Sequence, residues 1–149
     1  WRAVVDLLCF GATKNGALAG EAIVCFDPAR AEAIARRRKR GGQLFSKGRY
    51  AAAQLLAYLD NDLWLSLASR ANGLAGRLGE AAAGFLSLPV ETNQVFIKPG
   101  EQALAALRAQ GAEFYDWGAP GSGEARLVVS WNQSEADVEA MCEALRRLG

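Results

Sequence analysis

Histidine is absent from the 149 residues. That absence excludes, within this chain, Ser-His and Cys-His nucleophile pairs, His-based zinc sites and an imidazole general base. Any chemistry here falls to lysine, arginine, carboxylates or a cofactor. The three cysteines, Cys9, Cys25 and Cys142, form no Cys-x-x-Cys pair and show no metal-ligand spacing. They read as buried free thiols of a reducing compartment, which points to the cytoplasm. No apolar run approaches the ~18 residues that cross a bilayer, no signal-peptide pattern is present, and no tract is repeated or of low complexity. A net charge of +1 provides no global field to draw a polyanion or a membrane surface. The chain opens on Trp1 and its single methionine is Met141, so it reads as an internal or C-terminal piece of something longer.

What is present is the profile of a globular domain, 51% hydrophobic and 22% charged. Val4 to Phe10 and Ala22 to Phe26 are near-continuous apolar runs, predicted as strands covered on both faces. Between them lies GATKNGALAG, rich in turn formers. Asp27-Pro28 opens a basic helix over 29–40, stopped by Gly41-Gly42. Helices are expected over Leu44–Leu59 and, after Asp62 as N-cap, along the stripe Leu63, Trp64, Leu67, Ala71, Leu74, Ala75 and Leu78. Beyond Gly84 the texture changes. Asn93–Lys98, Glu113–Trp117 and Arg126–Trp131 read as strands, with Glu101–Gln110 as a helix. Ser134-x-x-Asp137 opens a last helix that buries Val138, Met141, Cys142, Leu145 and Leu148. The organisation expected is α/β in three parts: 1–27, 28–83 and a compact β-α-β-β-α layer in 84–149.

Three features can carry chemistry. Lys14 stands on a glycine-framed turn after a strand. It is either an exposed turn lysine or, if burial favours the neutral amine, a nucleophile for a carbonyl. Residues 28–50 hold eight Lys/Arg against one acidic residue, a net of +7, while the remainder has nine against fifteen, a net of −6. Such a run is a solvated helix face, a localisation signal, or a site for phosphate or nucleic acid. Arg126 begins the strand ARLVVSW and is expected to be half-buried. Its partner is then a neighbouring carboxylate, or a phosphate or carboxylate ligand. Asp60 and Asp62 lack the further oxygen ligands of a calcium loop.

Taken in order, VDLLCFGATKNGALAGEAIVCFDP, ARRRKRGGQLFSKGRYAAAQLLAYLDNDLWLSLASRAN, LPVETNQVFI, FYDW and RLVVSW resemble the C-terminal portion of a low-specificity L-threonine aldolase. The similarity runs from about Ala3 to the end. That family has the aspartate-aminotransferase fold (type I) and uses pyridoxal 5′-phosphate. The resemblance implies an aldehyde-lyase that cleaves L-threonine or L-allo-threonine to glycine and acetaldehyde in a homodimer or homotetramer. Residue by residue, it implies that Lys14 forms the Schiff base with the cofactor and that Arg126 grips the substrate carboxylate. It also implies that Arg49 contacts the cofactor phosphate or holds the site together, and that Lys39 reaches an active site, the neighbouring subunit's. Residues 1–27 become the end of the large cofactor domain, 28–83 connecting and interface helices, and 84–149 the small domain. The family's upstream half supplies an aspartate for the pyridine nitrogen, two histidines and a phosphate loop, none of which this chain has. The chain alone is therefore expected to be inactive. Other expectations keep the cofactor but change the reaction, to β-elimination, racemisation or aldol cleavage of another β-hydroxy amino acid. A different class altogether is a basic-helix module for nucleic acid or an acidic partner.

Overall fold

The structure, a computed structural model, describes residues 4–149; Trp1 lies outside the described residues. Two compact units emerge, one ending at Trp64 and the other Leu65–Gly149.

In the first unit, β1 (Leu7–Gly11) pairs antiparallel with β2 (Glu21–Cys25), with Cys9 opposite Ile23 and Phe10 opposite Ala22. The two apolar runs are not covered on both faces, contrary to the expectation from their composition. Leu8 and Phe10 are half-buried, while Leu7 and Cys9 are exposed. Among the described residues the ladder has two strands, and it packs one face through Phe10 on Tyr58 and Trp64. Cys9 is exposed and Cys25 half-buried; of the three thiols only Cys142 is buried.

Helix α1 (Pro28–Arg40) starts as its residues dictate: Asp27 accepts from the Ala29 N–H and Pro28 fills the first turn. Helix α2 spans Gly48–Leu59, four residues shorter than expected. Leu44 and Phe45 are irregular and Ser46–Lys47 form a turn instead, across which the Gly48 N–H donates to the Phe45 carbonyl. Asp60–Asp62 make a single 3₁₀ turn with positive φ at Asn61 and Asp62, a conformation that Asn and Asp tolerate better than most residues. Helix α3 (Leu63–Ala81) follows.

The second unit holds the core. The sheet order is β3 (Gln94–Ile97), β5 (Glu124–Val128), β4 (Tyr115–Trp117), antiparallel throughout. Alternation sends Val95, Ile97, Ala125 and Leu127 to one face. There they meet Leu104 and Leu107 of α4 (Glu101–Ala109), Leu74 and Leu78 of α3, and Val138, Cys142 and Leu145 of α5 (Glu135–Arg146). Leu74, Ala75 and Leu78 of the stripe read along α3 and the buried side of the last helix thus join α4 in walling this core, whereas Leu63 is exposed and Trp64 and Leu67 are half-buried. Ser134 caps α5 by accepting from the Asp137 N–H. Burial raises the Cys142 thiol above its ordinary pKa. Strand β4 begins at Tyr115, two residues later than expected, because Gly111 at positive φ and the Ala112 N–H bonded to the Leu107 carbonyl turn the chain before it can enter the ladder.

Candidate functional site

The Lys14 turn is built residue by residue. After β1, Thr13–Asn15 form one 3₁₀ turn, closed by Gly16 at φ 118. That value lies where only glycine is unstrained. The Ala12 carbonyl accepts from the N–H groups of Asn15 and Ala17, and the Ala12 N–H donates to the Gly20 carbonyl. The Thr13 hydroxyl donates to Glu21 and accepts from the Gly20 N–H. The Asn15 amide donates to the Tyr58 hydroxyl and, at 3.1 Å, to the Trp64 carbonyl. Gln54 of α2 accepts from the N–H groups of Leu18 and Ala19 at 2.9 and 3.2 Å.

Lys14 stands apart from this scheme. It is exposed, and no hydrogen bond or ion pair reaches its ammonium among the described residues. Of the two readings its residues left open, the exposed turn lysine is the one seen among the described residues. What the turn provides is a fixed backbone that presents a primary amine with no competing carboxylate.

Arg126 sits in mid-strand on β5, directly opposite Phe96 of β3 and Tyr115 of β4. Its face is the one turned away from the core. The guanidinium carbon lies 5.4 Å from the Tyr115 ring centre and 5.0 Å from that of Trp117. Trp117 in turn meets Phe96 edge-on at 5.2 Å. Cation–π contacts of this kind contribute on the order of 0.5–2 kcal/mol. The Arg126 Nε is buried with no hydrogen-bond partner, and no carboxylate pairs with this arginine among the described residues. The alternative of a neighbouring Asp or Glu is thereby removed. Aromatic rings thus hold this arginine with no competing carboxylate among the described residues.

The two remaining predicted cations lie on exposed surface. Lys39 is in the last turn of α1, whose thirteen residues include none that is buried. Arg49 is in the first turn of α2 and meets Tyr50 by a 3.4 Å hydrogen bond and a ring contact at 4.9 Å. Sequence reasoning missed the aromatic surround of Arg126 and the grip on the Lys14 turn. The alternating aromatics of FYDW carried a signal for the first; the second joins residues 43 and 49 positions apart and had none. Among the described residues, no group of His, Cys, Asp and Glu side chains could hold a metal ion, and no helix is long and apolar enough to cross a membrane.

No family model matches the chain. A low specificity L-threonine aldolase of Pseudomonas aeruginosa is 44% identical over 98% of this chain and 42% of the relative. Another from Pseudomonas sp. is 42% identical over 98% of the chain and 43% of the relative. The chain therefore spans about two fifths of the length of these curated relatives. A solved structure of Leishmania major threonine aldolase superimposes with a TM-score of 0.90 at 27% identity, over 99% of this chain and 44% of that one. The resemblance read in the sequence thus extends along the whole chain, and the fold is α/β, of the C-terminal portion of a fold type I protein.

Proposed function

We propose that the full-length protein containing these residues is a pyridoxal-phosphate-dependent aldehyde-lyase. It would cleave L-threonine and L-allo-threonine to glycine and acetaldehyde, in the cytoplasm, as a homodimer or homotetramer. The observation that carries this reading is the Lys14 turn. Its other polar side chains are tied down and its one amine is left without a partner, in a chain 44% identical to a low specificity L-threonine aldolase.

The residues suit the cofactor. Lys14 offers an amine with no salt bridge to break, and Arg49 offers a guanidinium with no carboxylate partner among the described residues. Bound pyridoxal phosphate would supply an aldehyde that condenses with an amino group and a ring that accepts the electron pair left when Cα–Cβ breaks. The chain's own residues do the rest. Lys14 would hold the cofactor through Nζ, and its amine, when not so engaged, could carry a proton. Arg126 clamps the α-carboxylate, which fixes the rotation about Cα and so decides which bond is broken. Arg49 neutralises phosphate. Lys39, at the exposed end of α1, adds positive charge where a neighbouring subunit's substrate would lie. The base that takes the β-hydroxyl proton is not among these residues, and the 149 residues by themselves are expected to lack activity.

The assay compares L-threonine, L-allo-threonine and phenylserine with the full-length protein, following aldehyde release. Release of acetaldehyde and glycine supports the reading. Elimination or racemisation without aldehyde would move the assignment to another reaction of the same cofactor.

A further inference from the structure

The turn that carries Lys14 is gripped by one face of α2. Gln54 and Tyr58 are four residues apart and so project from the same side of that helix. Gln54 takes the two N–H groups on the far side of the turn, Leu18 and Ala19. Tyr58 takes the Asn15 amide on the near side. Tyr58 is 5% exposed, and its ring lies 6.1 Å from that of Phe10, the strand residue four before Lys14. A buried phenol needs a hydrogen-bond partner, and Asn15 is that partner.

Asn15 is not there for backbone conformation. Asparagine often occupies turns because it tolerates positive φ, but in this turn Gly16 takes that role. What the position requires of Asn15 is its amide, which joins α2 through Tyr58 and the start of α3 through the Trp64 carbonyl. The residue adjoining the reactive lysine is thereby fixed to two elements far along the chain.

We propose that Tyr58 and Gln54 are positioning residues for Lys14, with Asn15 as the link. They hold the turn so that Nζ meets the cofactor aldehyde in one orientation. This rests on the assignment of Lys14 given above. Because a misplacement of about 1 Å can cost on the order of a hundredfold in rate, loss of a single tether is expected to cost about tenfold.

The test uses the full-length protein loaded with pyridoxal phosphate. Tyr58→Phe keeps the ring and removes the hydroxyl. Gln54→Leu removes the acceptor of two N–H groups, whereas Gln54→Glu keeps it. Tyr58→Phe is expected to keep the visible absorption band of the bound cofactor, move the pH at which that band titrates, and lower kcat about tenfold with KM changed less than about twofold. Gln54→Leu is expected to raise hydrogen exchange at Leu18 and Ala19, and Gln54→Glu to restore protection. If Tyr58→Phe alters thermal stability alone, leaving the titration and kcat unchanged, the positioning role is overturned. A Lys14→Ala protein that kept the band would instead overturn the lysine assignment, and does so independently of the tether variants.

Discussion

The two units use their residues differently. In the second, Val95, Ile97, Leu107, Cys142 and Leu145 are buried and merge into one core. In the first, the only buried apolar side chains among the described residues are Ala12 and Tyr58, and Leu18, Ile23, Phe45 and Leu56 are exposed. One unit is held by apolar packing. The other is held, around Lys14, by hydrogen bonds from Thr13, Asn15 and Gln54. The lesson is that the two candidate site residues are fixed by different physics. Arg126 is placed by strand register over a packed sheet, and Lys14 by a set of polar tethers. The first should survive perturbation of individual hydrogen bonds; the second should not.

That contrast can be broken at graded strength. Lys14→Ala in the full-length protein is expected to abolish both turnover and the cofactor's visible band, read by absorption spectroscopy, with the fold unchanged. Leu145→Ala, in the packed core, is expected to cost about 2–5 kcal/mol of stability by denaturant unfolding. Arg126→Lys keeps the charge but loses the two-pronged donor. It is expected to lower kcat/KM about a hundredfold, roughly 2.7 kcal/mol, by steady-state kinetics, while melting temperature barely moves. Asp27→Ala removes the α1 cap and should cost about 1 kcal/mol, read by thermal unfolding.

The smallest effect is a pH dependence. Glu139 of α5 bonds to Arg146 and to Arg77 of α3, and these contacts hold its carboxyl below the ordinary glutamate pKa, the Arg146 bond contributing most. A lowered folded value means that its stabilisation is present above the unfolded pKa and is lost as pH falls through the folded one. Glu139→Gln should therefore remove a small stabilisation at neutral pH and leave low pH unaffected, which flattens the acid limb of the stability profile; the effect is small because the group is open to solvent.

Much of this was legible in the residues. The Ala71, Leu74, Ala75, Leu78 stripe and the Ser134 cap are local signals of period and chemistry, and both stand in the structure. Lys14 could be singled out because a cation between glycines is locally odd. The start of α2 was not legible, since Leu44 and Phe45 have the apolar character of a helix but sit in irregular backbone before the Ser46–Lys47 turn. The apolar runs of β1 and β2 report what a strand can bury; among the described residues the ladder has two strands, in a chain that spans about two fifths of its relatives' length. The aromatic surround of Arg126 requires knowing that Phe96 and Tyr115 face it across two strands, and a single sequence does not state register. The grip of Tyr58 on Asn15 depends wholly on tertiary packing.

The most direct measurement is borohydride reduction of the full-length protein with pyridoxal phosphate bound, followed by peptide mapping. The chain holds four lysines, Lys14, Lys39, Lys47 and Lys98. A pyridoxyl group on Lys14 alone is the expected result; the label on any other lysine, with Lys14 unmodified, would contradict the account.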